Sequence, residues 1–206
     1  MSRRQPWIRP PGPVAPGLKI GLLGGSFNPA HSGHLHVSET ALNRLRLDYV
    51  WWLVSPQNPL KPVAGMARFD DRLRQARAFA QGPRIRVTGI ECDLGTRYTR
   101  DTIKALQTRF PQLRFVWLMG SDNLDQFSHW RDWTSIAAML PLAVITRPGS
   151  ELACLFSKAA QRYSRARKQA EPTIVYAAPP AFIVVDAPRN TASATDIRKA
   201  APRISL

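Results

Sequence analysis

Residues Lys19 to His34 read KIGLLGGSFNPAHSGH: an apolar run, two adjacent glycines, a turn containing proline, and the start of a segment with helical spacing. The same alternation recurs along the chain. YVWWLV begins at Tyr49, RIRVTGI at Arg84, RFVWLMG at Arg114, PLAVIT at Pro141 and AFIVVD at Ala181. Between these runs the periodicity predicts helices from Gly33 to about Arg46, from about Arg68 to Gln81 and from about Thr99 to Arg109. A basic helix follows PLAVIT, and a short closing helix is predicted from about Ala194 to Ala200. Short strands alternating with longer helices predict βαβ units, hence an α/β chain built on a parallel sheet. Ligands of open α/β sheets bind beyond the carboxyl ends of the strands, so the chemistry is sought in the segments that follow each apolar run.

The composition narrows the function classes. The chain has 206 residues, with 29 Lys and Arg against 14 Asp and Glu, a net charge of +15. That size predicts one domain, residues 18–206, after a disordered leader, residues 1–17, in which Pro6, Pro10, Pro11, Pro13 and Pro16 favour an extended chain. Apolar residues make up 44% and aromatics 9%, enough for a sizeable core and far from the composition of disorder. The longest apolar runs, Tyr49 to Val54 and Leu140 to Ile145, fall well short of the roughly 20 residues that span a bilayer. The basic start lacks the apolar stretch of a secretory signal. Cys92 and Cys154 lie far apart without a partner motif, so a reducing cytoplasm is the expected location. The positive excess attracts polyanions, whether nucleic acid, anionic membrane or phosphorylated substrates. Lys158, Arg162, Arg165, Arg167 and Lys168, a stretch without an acid, read as a solvated helix face.

After the first strand, Gly24 and Gly25 let a backbone come close to a ligand. The following helix turns its N–H groups and positive dipole end toward a phosphate. No Gly-Lys-Ser/Thr follows and no GxGxxG is present, so neither common nucleotide loop applies. His31 and His34 stand three apart in the first turn, where each can give an anion a charge-assisted hydrogen bond. Near the far end, Thr191 to Arg198 reads TASATDIR. Ser193 is a candidate N-cap, while Thr195 and Arg198 can turn a hydroxyl and a guanidinium toward one anion.

GGSFNPAHSGH resembles the HxGH signature of the nucleotidylyltransferase superfamily, and TASATDIR resembles its terminal ISSTxxR signature. Together with SPQNPLKP at Ser55 to Pro62, GTRYTRDTI at Gly95 to Ile103 and MGSDNLDQFSHW at Met119 to Trp130, these make the chain similar to bacterial nicotinate-nucleotide adenylyltransferases from Leu18 to Ala200. The resemblance implies a Rossmann-like doubly wound parallel sheet with helices on both faces. It also implies adenylyl transfer from ATP to nicotinate mononucleotide, giving deamido-NAD and pyrophosphate in NAD biosynthesis. By the same resemblance, Gly24, Gly25, Ser26, Phe27, Gly33, Ser193 and Thr195 hold ATP, and His31, His34, Lys61 and Arg198 supply catalytic charge. Tyr98 and Thr99 receive the nicotinate carboxylate, Gly120 and Asp122 lie near the ribose or pyridine, and Trp130 stacks on the ring.

Asn28 departs from the more usual Asp, Arg97 from Ser, and Ala192 and Ala194 from Ile and Ser. Asp122 could equally cap a helix, and Arg147, after the fifth strand, either meets the substrate phosphate or serves a plain turn. Trp51, Trp52 and Trp117 lie inside strands and are expected in the core, while Trp130 and Trp133 follow a polar turn. The attacking phosphate is already an anion, so no general base is required, and Mg²⁺ is expected to arrive on ATP rather than in a protein cage. Two alternatives stay open: another adenylyltransferase of the superfamily, such as phosphopantetheine adenylyltransferase, and a basic nucleic-acid binding module.

Overall fold

Each apolar run becomes a strand because neighbouring residues along it can be buried on opposite faces. The computed structural model describes residues 8–56, 65–146, 155–169 and 171–186. In chain order, β1 (Lys19–Gly25), α1 (Ser32–Arg44), β2 (Tyr49–Val54), α2 (Phe69–Phe79) and β3 (Ile85–Thr88) form the first half. The second half holds α3 (Ile90–Leu94), α4 (Thr99–Arg109), β4 (Arg114–Gly120), α5 (Ser121–Phe127), α6 (Trp133–Met139), β5 (Leu142–Ile145), α7 (Lys158–Arg162) and β6 (Phe182–Val185). Among the described residues the strands form one sheet in the order β3-β2-β1-β4-β5-β6, with all pairs parallel. This is the doubly wound sheet that the sequence predicts.

The two-residue period of β2 shows how both faces are filled. Trp51 and Leu53 join Ile20, Leu22 and Trp117 in a core covered by α4, α5, α6 and α7 through Ile103, Leu106, Phe127 and Ile136. Val50, Trp52 and Val54 join Leu23, Val116 and Leu118 in the other, covered by α1 and α2 through Val37, Ala41 and Ala76. Trp51, Trp52 and Trp117 are core residues as expected. No helix among the described residues is long and apolar enough to cross a membrane.

Three local expectations are revised. RIRVTGI leaves the sheet after Thr88, because Gly89 turns the chain into the five-residue α3. The basic helix is one short turn of α helix followed by a 3-10 turn at Ser164–Ala166, and Lys158, Arg162, Arg165, Arg167 and Lys168 are all exposed on it. The leader is the third. Its described part packs on the domain: Ile8 is buried, Gly17 N–H donates to Gln112 O at 2.9 Å, and Gln112 Nε2 donates to Val14 O at 3.1 Å. The prolines that suggest a loose extended chain also pre-form the extended backbone that brings Ile8 and Val14 onto the core.

Gly24 is required by packing. A Cβ there would lie 2.7 Å from Cη2 of Trp117, whereas one at Gly25 would meet the Phe27 ring at an ordinary 3.4 Å. The absent side chain at Gly24 therefore makes room for the Trp117 indole. Gly24→Ala is expected to cost about 1–3 kcal/mol through overpacking, read as a lower urea midpoint at unchanged m value. Gly25→Ala should stay within about 1 kcal/mol of the parent in the same measurement.

Candidate active site

Because every strand runs the same way, their carboxyl ends form one rim. Gly25 is level with Val54, Gly120 with Ile145, and Ile145 with Val185, while Leu23 beside Leu118 sets β1 and β4 in step. From β1 the chain moves outward through β2 to β3 and then returns to place β4 on the other side of β1. The connections therefore diverge between β1 and β4, which opens a crevice at their carboxyl ends.

On the β1 side the turn Ser26 to Ala30 leads into α1. Phe27 adopts the left-handed region, with φ 47°, and is held there by burial of its ring against Trp52 at 5.0 Å and His34 at 4.5 Å. His31 is the N-cap of α1, and its Nδ1 accepts from Gly33 N–H at 3.1 Å. In return, Nδ1 of His34 accepts from His31 N–H at 3.2 Å. Both Nδ1 atoms are thus acceptors, which assigns the imidazole proton to Nε2 in each ring. Each ring is left with Nε2–H to offer, and a bond from it to an anion would be charge-assisted through the acceptor. The rings lie 3.9 Å apart, with His31 buried. Behind them Trp52 Nε1 donates to Ser38 Oγ at 2.7 Å, and Ser38 Oγ donates to His34 O at 2.8 Å, which ties the first turn of α1 to β2.

The other wall comes from α4, α5 and the segment before α6. Gly120 ends β4 and is the N-cap of α5, where Asp122 is exposed in the first turn and does not serve as N-cap. Trp130 is partly buried, edge-on to Trp117 at 5.9 Å and to Phe127 at 5.4 Å. Since Trp117 also fills the space at Gly24, Trp130 stands one side chain away from the end of β1. Arg131 lies over the Tyr98 ring at 4.4 Å, so Tyr98 and Thr99, at the start of α4, share this wall with Trp130. The structure thus groups Gly24, Gly25, Ser26, Phe27, His31, Gly33, His34, Gly120, Asp122, Trp130, Tyr98 and Thr99 about one crevice. Lys61, Arg147, Ser193, Thr195 and Arg198 lie outside the described residues.

The family described as cytidylyltransferase-like matches residues 22–200. A protein of Parvibaculum lavamentivorans named "Probable nicotinate-nucleotide adenylyltransferase" is 54% identical over 188 residues, covering 90% of this chain and 94% of that protein. One of the same name from Gluconobacter oxydans is 50% identical over 184 residues, covering 88% and 94%. The chain belongs to the nicotinate-nucleotide adenylyltransferase family, within the cytidylyltransferase-like proteins. Among solved structures, the Plasmodium falciparum nicotinic acid mononucleotide adenylyltransferase complexed with NaAD shares the fold at a TM-score of 0.68 and 16% identity, over 88% of this chain and 83% of that one.

Near the strand ends, the structure gives three residues contacts that the sequence reading does not foresee. Asn28 replaces the more usual Asp and uses both ends of its amide: Nδ2 donates to Gly65 O at 3.1 Å and Oδ1 accepts from Ala67 N–H at 3.2 Å. A carboxylate could make only the second bond. Arg72 is buried in α2 and contacts the ends of β1 and β2. Its signal was present, since it falls on the apolar stripe of Phe69, Leu73 and Ala76. Glu91 of α3 is buried and accepts from Thr102 Oγ1 at 3.1 Å, beneath the start of α4.

Burial pushes the Glu91 carboxyl from its ordinary value of 4.5 up to about 7, against the opposing effect of the Thr102 hydrogen bond. Cys92 is exposed, and partial burial together with Asp93, Glu91 and Asp70 pushes its thiol up, so it is no activated nucleophile. Between pH 4.5 and 7 the native Glu91 holds a proton that the unfolded chain releases. Its contribution is therefore complete below the unfolded value and is lost as the pH rises through the folded one, a fall of about 3 kcal/mol. Urea unfolding from pH 4.5 to 8 should show that decline, and Glu91→Gln should flatten it while being at least as stable as the parent at pH 8.

Proposed function

We propose that this chain transfers AMP from ATP to nicotinate mononucleotide, giving deamido-NAD and pyrophosphate for NAD biosynthesis in the cytoplasm. What supports the reading is the reciprocal cap of His31 and His34 after β1, which leaves both Nε2 atoms as donors, with Trp130 one side chain from the end of β1 and Arg131 beside it over Tyr98. The family membership, at about half identity over nine-tenths of the chain, agrees with it. ATP brings its divalent cation, Mg²⁺, on its own phosphates. A cation carried on the substrate's phosphates keeps most of its waters and needs few protein ligands.

In this reaction a phosphate oxygen of the mononucleotide attacks the α-phosphorus of ATP. A new P–O bond forms, the bond to the bridging oxygen breaks, and pyrophosphate leaves with the electron pair. The nucleophile is already anionic, so no proton has to be removed. The protein's part is to hold two anions in line and to stabilise charge as it builds on the α-phosphate. His31 and His34 donate through Nε2–H, Lys61 and Arg198 add cationic charge, and the N–H groups at the start of α1 complete the cradle, with Gly33 fitting close beside the phosphates. Ser26, Phe27, Ser193 and Thr195 line the nucleotide side, and Arg147 meets the mononucleotide phosphate. Tyr98, Thr99, Gly120, Asp122 and Trp130 form the pyridine side, where an indole offers a flat platform. Neither nucleic acid nor membrane is a partner in this reading.

Pyrophosphate release from ATP, run side by side with nicotinate and nicotinamide mononucleotide, tests the reading. The acid should support faster release, and release with neither would refute it. His34→Ala should lower kcat about a hundredfold or more with a smaller change in KM, because the donor acts mainly in the transition state. Trp130→Ala should raise KM for nicotinate mononucleotide more than KM for ATP, and equal increases would remove Trp130 from the pyridine site.

A further inference from the structure

A guanidinium in a protein core normally has a carboxylate beside it, and Arg72, only 1% exposed, has none among its contacts with the described residues. Its partners are main-chain oxygens. Nε donates to Ala67 O at 3.0 Å, one terminal nitrogen to Ser26 O at 2.5 Å and Ser55 O at 2.8 Å, and the other to Pro56 O at 2.7 Å. The Phe69 ring lies against the cation at 5.7 Å. These four oxygens belong to three places on the rim: the turn after β1, the exit of β2, and the point where the chain returns after residues 57–64. Asn28, two residues beyond Ser26, binds the same return through Gly65 and Ala67. One planar fork therefore spans the turn that leads to His31 and both ends of the segment that carries Lys61.

We infer that Arg72 is a positioning residue. It sets the spacing between the turn that leads to His31, the exit of β2 at Ser55 and Pro56, and Ala67 before α2, and so holds the histidine turn in place for the phosphates. The inference rests on the adenylyl-transfer reading above. Geometry explains why arginine is used. The four oxygens lie around a flat group with five donors, whereas lysine has only three donors on a single nitrogen and cannot satisfy all four. A residue wanted only for packing could be apolar at this place, since replacing a buried ion by a hydrophobic group of similar volume is often neutral or stabilising.

The test uses Arg72→Lys, which keeps the charge, and Arg72→Met, which keeps the length. Both are assayed at a temperature well below every melting point. Arg72→Lys should stay folded, hold KM for ATP within about threefold and lose about 30- to 100-fold in kcat, the scale of a small misplacement of reacting groups. Amide hydrogen exchange supplies a reading independent of activity. In Arg72→Lys the amides at 26–28 and 65–68 should exchange at least tenfold faster while β4 and β5 do not change. A lowered melting temperature with kcat within threefold of the parent would overturn the positioning role, as would unchanged exchange at those amides. A parent chain that released no pyrophosphate would instead refute the adenylyl-transfer reading, and the exchange result would still decide what Arg72 holds.

Discussion

Parallel pairing of β1 with β2 on one side and β4 on the other is the constraint from which the rest follows. It sends every strand end to one rim and forces the flanking connections apart at β1 and β4. The GGSF turn, the Gly120 turn and the exits of β2, β5 and β6 then face the same solvent. Residues remote in sequence share a site because the sheet leaves them one edge to occupy.

Second-layer contacts hold that edge in order. Trp117 fills the space left by Gly24 and supports Trp130, which links the carboxyl end of β1 to the wall where Tyr98 begins α4. His31 and His34 cap each other's backbone and thereby fix which nitrogen carries the proton. Arg72 and Asn28 do the corresponding work for the β1 and β2 turns, using main-chain oxygens and amides in place of ion pairs. Arg44 makes a related connection farther out, joining the end of α1 to Glu171 and to the carbonyl of Asp186 as the chain leaves β6.

Much of this was legible in the sequence, for a physical reason. Strands buried on both faces read as unbroken apolar runs, and the six runs are the six strands. The long helices α1, α2 and α4 declared themselves by period, with α4 spanning Thr99–Arg109 as predicted. The short helices α3, α5 and α6 did not, since five to seven residues give too few turns for a period to show. The packed leader was hidden because proline-rich composition describes both a loose tail and a docked extended strap. At the site, the histidines could be read from their place after Gly-Gly, but the tautomer depends on backbone N–H directions that spacing does not reveal. Arg72 lies on the apolar stripe of Phe69, Leu73 and Ala76, so its inward direction could be read from the period, but the carbonyls it meets could not. Asn28 read as a lost charge, whereas it is a two-ended tie that an Asp could not make.

The central claim is that the imidazoles after β1 and the guanidinium of Arg198 converge on one triphosphate. A crystal structure of the chain with a non-hydrolysable ATP analogue measures this directly. The account predicts the phosphates in the β1–β4 crevice, with Nε2 of His31 and His34 and the Arg198 guanidinium within hydrogen-bond distance of them. Phosphates bound elsewhere on the molecule, or Arg198 at the opposite edge of the sheet, would contradict it.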